Sequence, residues 1–393
     1  MAPGSAAAAV AATEPRTAPA WVPLLAAALG LPGVVGVVAE AKAQGDPGPG
    51  SVSFKWLAYQ DRQPGLERIR VSSPALLVRA PVAGVWVLEG GLSADLVSGA
   101  SPRYHSAISG ASRMSDERQA GDLKLTHLGQ RQDLSMGLAA SDENDYHSRA
   151  LSIEGRWHSS DRNRSWSAAL AFTHDRIGSK DDDTLDRRRR TLEASAGVTH
   201  ALSRADLLQF NLTHAAGHGY YADPYKRPDV RPGARHQSTA LLRWNHHFEA
   251  ADVTLRSSWR GYRDSFGVRS HTLSLEPVIG LSPRISLTPG LRLYSQTAAR
   301  FYYDPVYSFA GAPYPPGYFE APPQFLSPDA RLSAFGAVSV SLKLALKLGE
   351  VWRTDVKLER YEQRSAWRVG GPGSPGLAPL SARWLTLGLS RQF

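Results

Sequence analysis

The segment from Ser98 to Arg118 gathers serine, histidine and carboxylate side chains, which are the residue types that a serine hydrolase combines. Ser-Gly-Ala-Ser occurs there twice, beginning at Ser98 and Ser109, and Tyr104 and His105 lie between the two copies. A serine nucleophile needs a histidine base and an orienting carboxylate, but the glycine-flanked turn that exposes such a serine is absent. We therefore predict that the protein is not an enzyme and keep a hydrolase as the weakest alternative.

Two further groups of residues carry metal-ligand chemistry. His214 and His218 are four positions apart, but the segment runs from a strand into a loop, so helical ligand geometry is not expected. The carboxylates between Asp181 and Asp186 lack the glycine and the ligand spacing of a calcium loop. The run Arg187–Arg190 follows them directly, and we interpret it as a solvated loop of balanced charge rather than a phosphate site. The sequence thus predicts no metal and no cofactor.

The elements that would position these residues are predicted by a period of two, which dominates from residue 52 onward. In residues 338–348 valine and leucine occupy every even position, and serine, alanine and lysine occupy the odd positions. A strand points successive side chains to opposite faces, so this one has an apolar face and a polar face. In residues 353–359 the polar face carries four ionisable groups, which are too costly to bury unpaired in an apolar core. These features favour an all-β transmembrane barrel with a water-filled lumen.

The alternating segments predict about sixteen antiparallel strands. We expect two of them to start at Ala120 and Ala330. The connections alternate between short turns and long loops, with long loops predicted at Tyr59–Glu67, Gly99–Gln119 and Arg300–Asp329. Outer-membrane barrels have short periplasmic turns and longer outer loops, so the pattern indicates this class.

Charged residues at inward positions are the first candidates for a functional site. Rings of charge set the selectivity of pores, and an excess of fixed positive charge favours anions. The predicted lumen residues are Arg156, Arg243, Arg256, Arg260, Arg292, Lys343, Lys347, Arg353 and Lys357, faced by Glu89, Asp95, Glu154, Glu193, Glu276, Asp355 and Glu359. The alternative is that these charges pair across the lumen and rigidify a blocked barrel.

The loop around His105 is the second candidate, because it is long and nearly free of bulky aliphatic residues. We expect it to fold inward as a constriction loop that contributes Ser101, Arg103, Tyr104, His105, Asp116 and Arg118. The leading hypothesis is a porin-like channel for small, anionic solutes. The alternative is a non-conducting barrel that docks or assembles another envelope protein through the loop Tyr302–Pro323.

Composition supports a membrane barrel without deciding its function. The chain has no cysteine, and its net charge of +9 is spread along its length, which argues against nucleic acid as a partner. Tryptophans near the predicted strand ends are expected to form a girdle at the lipid interface. They are Trp86, Trp157, Trp166, Trp352 and Trp384.

The two ends of the chain carry export features. Residues 1–43 are predicted to be a signal peptide, with Ala-x-Ala patterns at Ala39–Ala41 and Ala41–Ala43, and residues 44–393 the outer-membrane β-barrel. The last strand ends in Phe393, which resembles the signal read by the outer-membrane assembly machinery. The predicted partners are therefore outer-membrane lipid and that machinery, and an oligomer is compatible with the sequence.

Several stretches carry a more specific resemblance. They are Tyr59–Gly65, Ser98–Arg118, Asp223–Lys226, Arg243–Phe248 and Gly371–Leu377. Together they resemble the bacterial family called domain of unknown function 3570, over residues 52–393. The resemblance implies an outer-membrane protein of Gram-negative bacteria. It implies no established activity, so it provides no catalytic residues.

Overall fold

A computed structural model describes residues 47–100, 113–226, 228–304, 315 and 317–393 of the chain. Sixteen antiparallel strands close into one barrel, in which each strand pairs with its neighbours in sequence and β1 pairs with β16. The predicted fold and strand number are confirmed. The described residues include no helix that is long and apolar enough to cross a membrane.

The strands are 11 to 17 residues long. They are β1 Ser51–Gln63, β2 Leu66–Val82, β3 Trp86–Ala100, β4 Arg113–Leu128, β5 Gln132–Asp142, β6 Tyr146–His158, β7 Arg164–Ile177, β8 Arg187–Ala201, β9 Asp206–Gly219, β10 Ala234–Phe248, β11 Val253–Asp264, β12 Arg269–Ser282, β13 Ile285–Gln296, β14 Phe335–Leu348, β15 Trp352–Arg364 and β16 Leu380–Gln392. Short 3₁₀ turns occupy Glu249–Ala251, Ala330–Leu332 and Ser365–Trp367.

The alternating sequence produces a barrel with opposite inner and outer faces. On β14, Val340 and Leu342 are exposed on the outside, whereas Ser339 is buried on the other face. The same apolar exterior continues around the barrel through residues such as Leu138 and Leu170. Exposed leucines are costly in water and favourable in lipid, so the outer wall suits a hydrocarbon environment.

The connections divide the barrel into two ends. One end carries short turns such as residues 83–85 and 283–284, and we call it the short-turn end. The other end, the long-loop end, carries residues 178–186, 220–226, 228–233, 297–304, 317–334 and 365–379.

The predicted long loop Tyr59–Glu67 is wrong, because β1 and β2 are joined by Pro64 and Gly65 alone. Gly65 has a φ of 71°, which a glycine adopts without strain.

Two predicted strand starts are also wrong. β4 begins at Arg113 instead of Ala120, and β14 begins at Phe335 instead of Ala330, which lies in a 3₁₀ turn. The start of β4 could not be predicted because, apart from Met114, polar residues fill Arg113–Gln119 at both odd and even positions, so no period of two is visible. The arginine run predicted as a solvated loop forms the start of β8.

Tryptophans mark the short-turn end. Trp86, Trp157, Trp166 and Trp352 are exposed on the outer wall, as expected for an interfacial girdle. Trp384 differs, because it is only 5% exposed and lies inside the barrel. Leu385, Leu387 and Leu389 occupy the outward positions of β16, so Trp384 has the inward phase.

Candidate functional site

The inner face can be followed from strand to strand through the register. Residues directly opposite in an antiparallel pair point to the same side of the sheet. Lys343 lies opposite Lys357 and Thr288, while the neighbouring outward position pairs Leu342 with Leu358. Both leucines are exposed on the outer wall, so the two lysines face the lumen.

The same procedure places the predicted lumen cations on the inner face. They are Arg156, Arg243, Arg256, Arg260, Arg292, Lys343, Lys347, Arg353 and Lys357. Their assignment to solute selectivity stays a prediction. The predicted carboxylates also have the inward phase, although they are not distributed evenly around the wall.

The densest group of cations lies on β14, β15 and β1. We call it the lumen basic cluster, and it consists of Lys55, Lys343, Lys347, Arg353 and Lys357. Lys343 lies opposite Lys357, and Lys347 lies opposite Arg353. Like charges in directly opposite positions destabilise a sheet, so this part of the wall holds two unfavourable pairs.

Two carboxylates lie within the lumen basic cluster but do not neutralise it. Lys343 Nζ lies 3.7 Å from Asp355 Oδ2, and Lys357 Nζ lies 2.8 Å from Glu359 Oε2. Gly388 makes room for this arrangement, since a β-carbon there would lie 2.6 Å from Asp355 Oδ1. The cluster therefore keeps a net positive charge toward the lumen.

Lys55 was missed by the sequence analysis. It lies opposite Gly388, which in turn lies opposite Asp355, so its side chain approaches the cluster over a residue without a side chain. The signal was present, because Lys55 stands between Phe54 and Trp56 in the inward phase of β1.

Four arginines extend the positive wall along β10, β11 and β13. Arg243 donates to Gln209 Oε1 over 3.4 Å, and Arg256 lies opposite Glu276. Arg260 and Arg292 share the same inner face. A stripe of guanidinium groups thus continues the lumen basic cluster around one side of the barrel.

The facing wall, from β3 to β8, is richer in carboxylates. Glu154 accepts hydrogen bonds from Lys124 Nζ and from Arg156, each over 3.1 Å. Both partners lie on the same wall as Glu154, so these ion pairs do not cross the lumen. Asp122 and Glu193 add two further carboxylates to the same side. A positive wall facing a more acidic wall produces an electric field across the lumen.

Aromatic side chains occupy the lumen face toward the long-loop end. We call Tyr59, Tyr294, Phe335, Tyr361 and Trp384 the inner aromatic cluster, and all of them are buried. The rings of Tyr59 and Trp384 are 5.9 Å apart, and those of Tyr294 and Phe335 are 5.7 Å apart. Each tyrosine hydroxyl donates to a side chain two positions further along its strand, namely to Asp61 over 3.0 Å, to Gln296 over 2.6 Å and to Gln363 over 2.7 Å.

Two long loops join above the barrel through buried ion pairs. We call residues 220–226, 228–233 and 317–334 the loop cap. Asp329 accepts from Lys226 Nζ over 3.0 Å, from Arg231 over 2.8 Å and from Arg331 Nε over 2.8 Å. Asp223 binds Lys226 and Arg331 over 2.9 and 2.7 Å, so both carboxylates bridge the two loops.

The electrostatics of the loop cap favour the charged forms of these carboxylates. Burial alone would raise the pKa of Asp223, but the facing Lys226 and Arg331 hold it below its ordinary value. Asp329 has a lowered pKa because Arg331, Lys226 and Arg231 together outweigh its burial. This network could not be predicted from the sequence, since its partners are about a hundred positions apart.

An apolar cluster supports the loop cap from below. Tyr221, Phe266, Val268, Ala299 and Leu332 are buried together and come from three different loops. The Tyr225 hydroxyl also reaches Asp145, which ties the cap to the connection between β5 and β6. The long loops therefore form one packed structure at their end of the barrel.

The residues predicted to form the constriction loop are only partly described by the structure. Ser101, Arg103, Tyr104 and His105 lie outside the described residues. Asp116 and Arg118 lie within β4, so their prediction as loop residues is wrong.

Arg118 is an inward strand residue, as its register shows. It lies opposite Asp95, and its guanidinium is 3.2 Å from Asp95 Oδ2 and 3.7 Å from Glu143 Oε1. Near the long-loop end the strand extends beyond the apolar band, which removes the alternation that predicts strands.

A closed sixteen-strand barrel with an apolar exterior and a charged lumen has the fold of an outer-membrane β-barrel. The chain belongs to the family described as a protein of unknown function, DUF3570, whose model matches residues 22–384. Comparison with curated proteins gave no match.

Solved structures resemble the chain in fold. A bacterial polysaccharide outer membrane secretin is 8% identical, with 87% of this chain and 98% of that chain covered and a TM-score of 0.50. CdiB from Acinetobacter baumannii is 10% identical, with 86% and 60% covered and a TM-score of 0.48. The CymD monoaromatic hydrocarbon channel is 9% identical, with 88% of each chain covered and a TM-score of 0.41. Identities this low establish the fold alone.

Proposed function

We propose that the protein is a porin-like channel in the outer membrane of a Gram-negative bacterium, and that it passes small solutes with a preference for anions. The observation that carries the proposal is the lumen basic cluster, in which Lys343 lies opposite Lys357 and Lys347 lies opposite Arg353. A wall built only for stability would place carboxylates opposite these cations.

Two opposed like-charge pairs raise the energy of the empty barrel, and an anion passing between them lowers it. Asp355 and Glu359 moderate the attraction, which suits a channel because a solute must also leave the site. A barrel of this strand number encloses an aqueous lumen wide enough for small solutes.

The proposal is tested by single-channel recording of the refolded chain in planar bilayers, after heat-dependent gel mobility has confirmed a closed barrel. We expect discrete conductance steps and, in a potassium chloride gradient, a reversal potential of the sign that anion preference gives. A folded and inserted protein without conductance would contradict the proposal, as would a cation-preferring reversal potential.

A second candidate function is a barrel that docks another envelope protein, and the loop cap favours it. Phe319 lies on the loop cap and is 75% exposed. Buried ion pairs such as Arg231–Asp329 hold the loops of the cap in place. A rigid surface with an exposed aromatic ring suits protein recognition. This function predicts a co-purifying protein that is lost in Phe319→Ser, while conductance is absent.

A further inference from the structure

Basic residues line the outside of the barrel near the long-loop end. Arg149, His174, Arg190 and His218 lie directly opposite one another on β6, β7, β8 and β9, and we call them the rim basic row. Arg149, Arg190 and His218 are exposed and His174 is half-buried. Four basic side chains thus form a continuous line across four neighbouring strands.

A second tier of basic residues lies nearer the loops. His147, Arg176 and Arg188 are also directly opposite one another and point outward. Arg176 is paired with Asp186 over 2.9 Å, and Asp142 binds both His147 and Arg149 over 2.8 Å.

Arg188 and Arg190 differ from these neighbours. Between them, Arg189 points inward and pairs with Asp175 over 2.8 Å. Within the described part of the chain, neither Arg188 nor Arg190 contacts a carboxylate. Arg188 is close enough to Asp186 to interact with it electrostatically, so the acidic residues before the arginine run neutralise it only in part.

The rim basic row borders the apolar band directly. Arg149 precedes Leu151, His174 follows Phe172 and Arg190 precedes Leu192, each by two residues, and these three apolar side chains are exposed on the outer wall. Two residues along a strand correspond to about 7 Å, so the cations lie where hydrocarbon gives way to head groups. The short-turn end has exposed tryptophans at the corresponding depth.

We infer that the rim basic row, together with Arg188, binds the phosphate groups of a phosphorylated glycolipid in the outer leaflet. Arg188 lies directly opposite Arg176, and Arg190 follows Arg188 by two residues on the same face, so three guanidinium groups lie close together. A phosphate between Arg188 and Arg190 would relieve their repulsion. The long-loop end of such barrels faces outward, where anionic glycolipid is the surrounding solvent. A ligand that contacts Leu192 and Arg190 together needs an acyl chain and a phosphate, which favours a lipid over a free anion. The inference rests on the proposed membrane location and is independent of conduction.

The test uses the full chain refolded in detergent micelles and titrated with bis-phosphorylated lipid A. We expect the double variant Arg188→Ser/Arg190→Ser to weaken binding by about 25-fold, since each arginine near a lipid surface contributes about 5-fold. The matched control is Arg204→Ser/Arg284→Ser, which removes the same charge at the short-turn end and should bind like the parent. Heat-dependent gel mobility verifies that each variant is folded.

Two comparisons show whether the ligand must carry phosphate groups and whether it must be a lipid. Lipid A without its phosphates should bind at least tenfold more weakly than bis-phosphorylated lipid A, and inorganic phosphate should not compete at millimolar concentration. Equal binding by both double variants would overturn the inference, because the rim would then be irrelevant. Effective competition by inorganic phosphate would overturn the lipid assignment. Loss of binding with normal conductance would separate this site from the channel.

Discussion

Lys343 and Lys357 lie directly opposite each other on the inner faces of β14 and β15. Each lysine reaches a different carboxylate, Asp355 in one case and Glu359 in the other, so their charges are moderated separately. The pair is followed by Lys347 and Arg353 toward the short-turn end. This part of the inner wall therefore carries four cations in two successive rows.

Reversal of the charge of Lys343 and Lys357 should change ion selectivity. In Lys343→Glu/Lys357→Glu the local field changes sign, and we expect the anion-over-cation permeability ratio to fall by roughly tenfold. The measurement is the reversal potential in a potassium chloride gradient. Arg284→Glu, at an exposed turn outside the lumen, is the control and should keep the parental reversal potential. An unchanged ratio in the double variant would exclude this wall as the selectivity site.

The inner aromatic cluster should contribute strongly to barrel stability. Trp384 is buried against Tyr59, so Trp384→Ala leaves a cavity and is expected to cost about 3–5 kcal/mol of unfolding free energy. Urea titration in detergent measures this loss. Trp166→Ala removes an exposed ring of the same type and should cost less. Equal losses in the two variants would argue against the cluster.

Asp329 should hold the loop cap together. Its replacement in Asp329→Asn leaves Lys226, Arg231 and Arg331 with one negative charge fewer in a buried site, which is expected to cost about 3–5 kcal/mol locally. Hydrogen exchange of peptides from residues 220–233 and 317–334 reports this opening. Asp183→Asn, at an exposed position, is the matched control. Unaltered protection in Asp329→Asn would mean that apolar packing alone holds the cap.

The same network predicts a pH dependence. The folded-state pKa values of Asp329 and Asp223 lie below the ordinary value of 3.8. Their contribution to the stability of the loop cap is therefore complete above pH 3.8. It is lost as pH falls through the folded pKa values. The ratio of hydrogen-exchange rates between Asp329→Asn and the parent should therefore stay constant from pH 7 to pH 4 and decrease only in stronger acid. A decrease that begins near pH 6 would contradict this assignment.

The period of two was sufficient to predict the barrel, the strand number and the inward phase of the lumen cations. It works because a strand in lipid must keep one face apolar along the whole band, as Val340 and Leu342 do. The inward position of Trp384 could have been predicted correctly by the same rule. It was assigned to the girdle because of its residue type, although Leu385 already defines the outward phase.

Features outside the apolar band could not be predicted in this way. The start of β4 at Arg113 lacks an apolar face, so nothing in the local sequence separates strand from loop. The ion pair between Asp223 and Arg331 joins residues that are 108 positions apart, and only the closed barrel brings them together. The surroundings of Arg190 likewise depend on which neighbours β7 and β9 supply, and these are His174 and His218.

The pairing of β1 with β16 sets an order of events during biogenesis. Across this seam Arg383 donates to Gln60 over 2.8 Å, although the two residues are 323 positions apart. Until β16 arrives, both edge strands present unpaired backbone groups, which hydrocarbon cannot satisfy. The barrel can therefore close only once its last strand pairs with its first. We expect the closed wall to form as a late event, because it depends on two segments separated by nearly the whole chain.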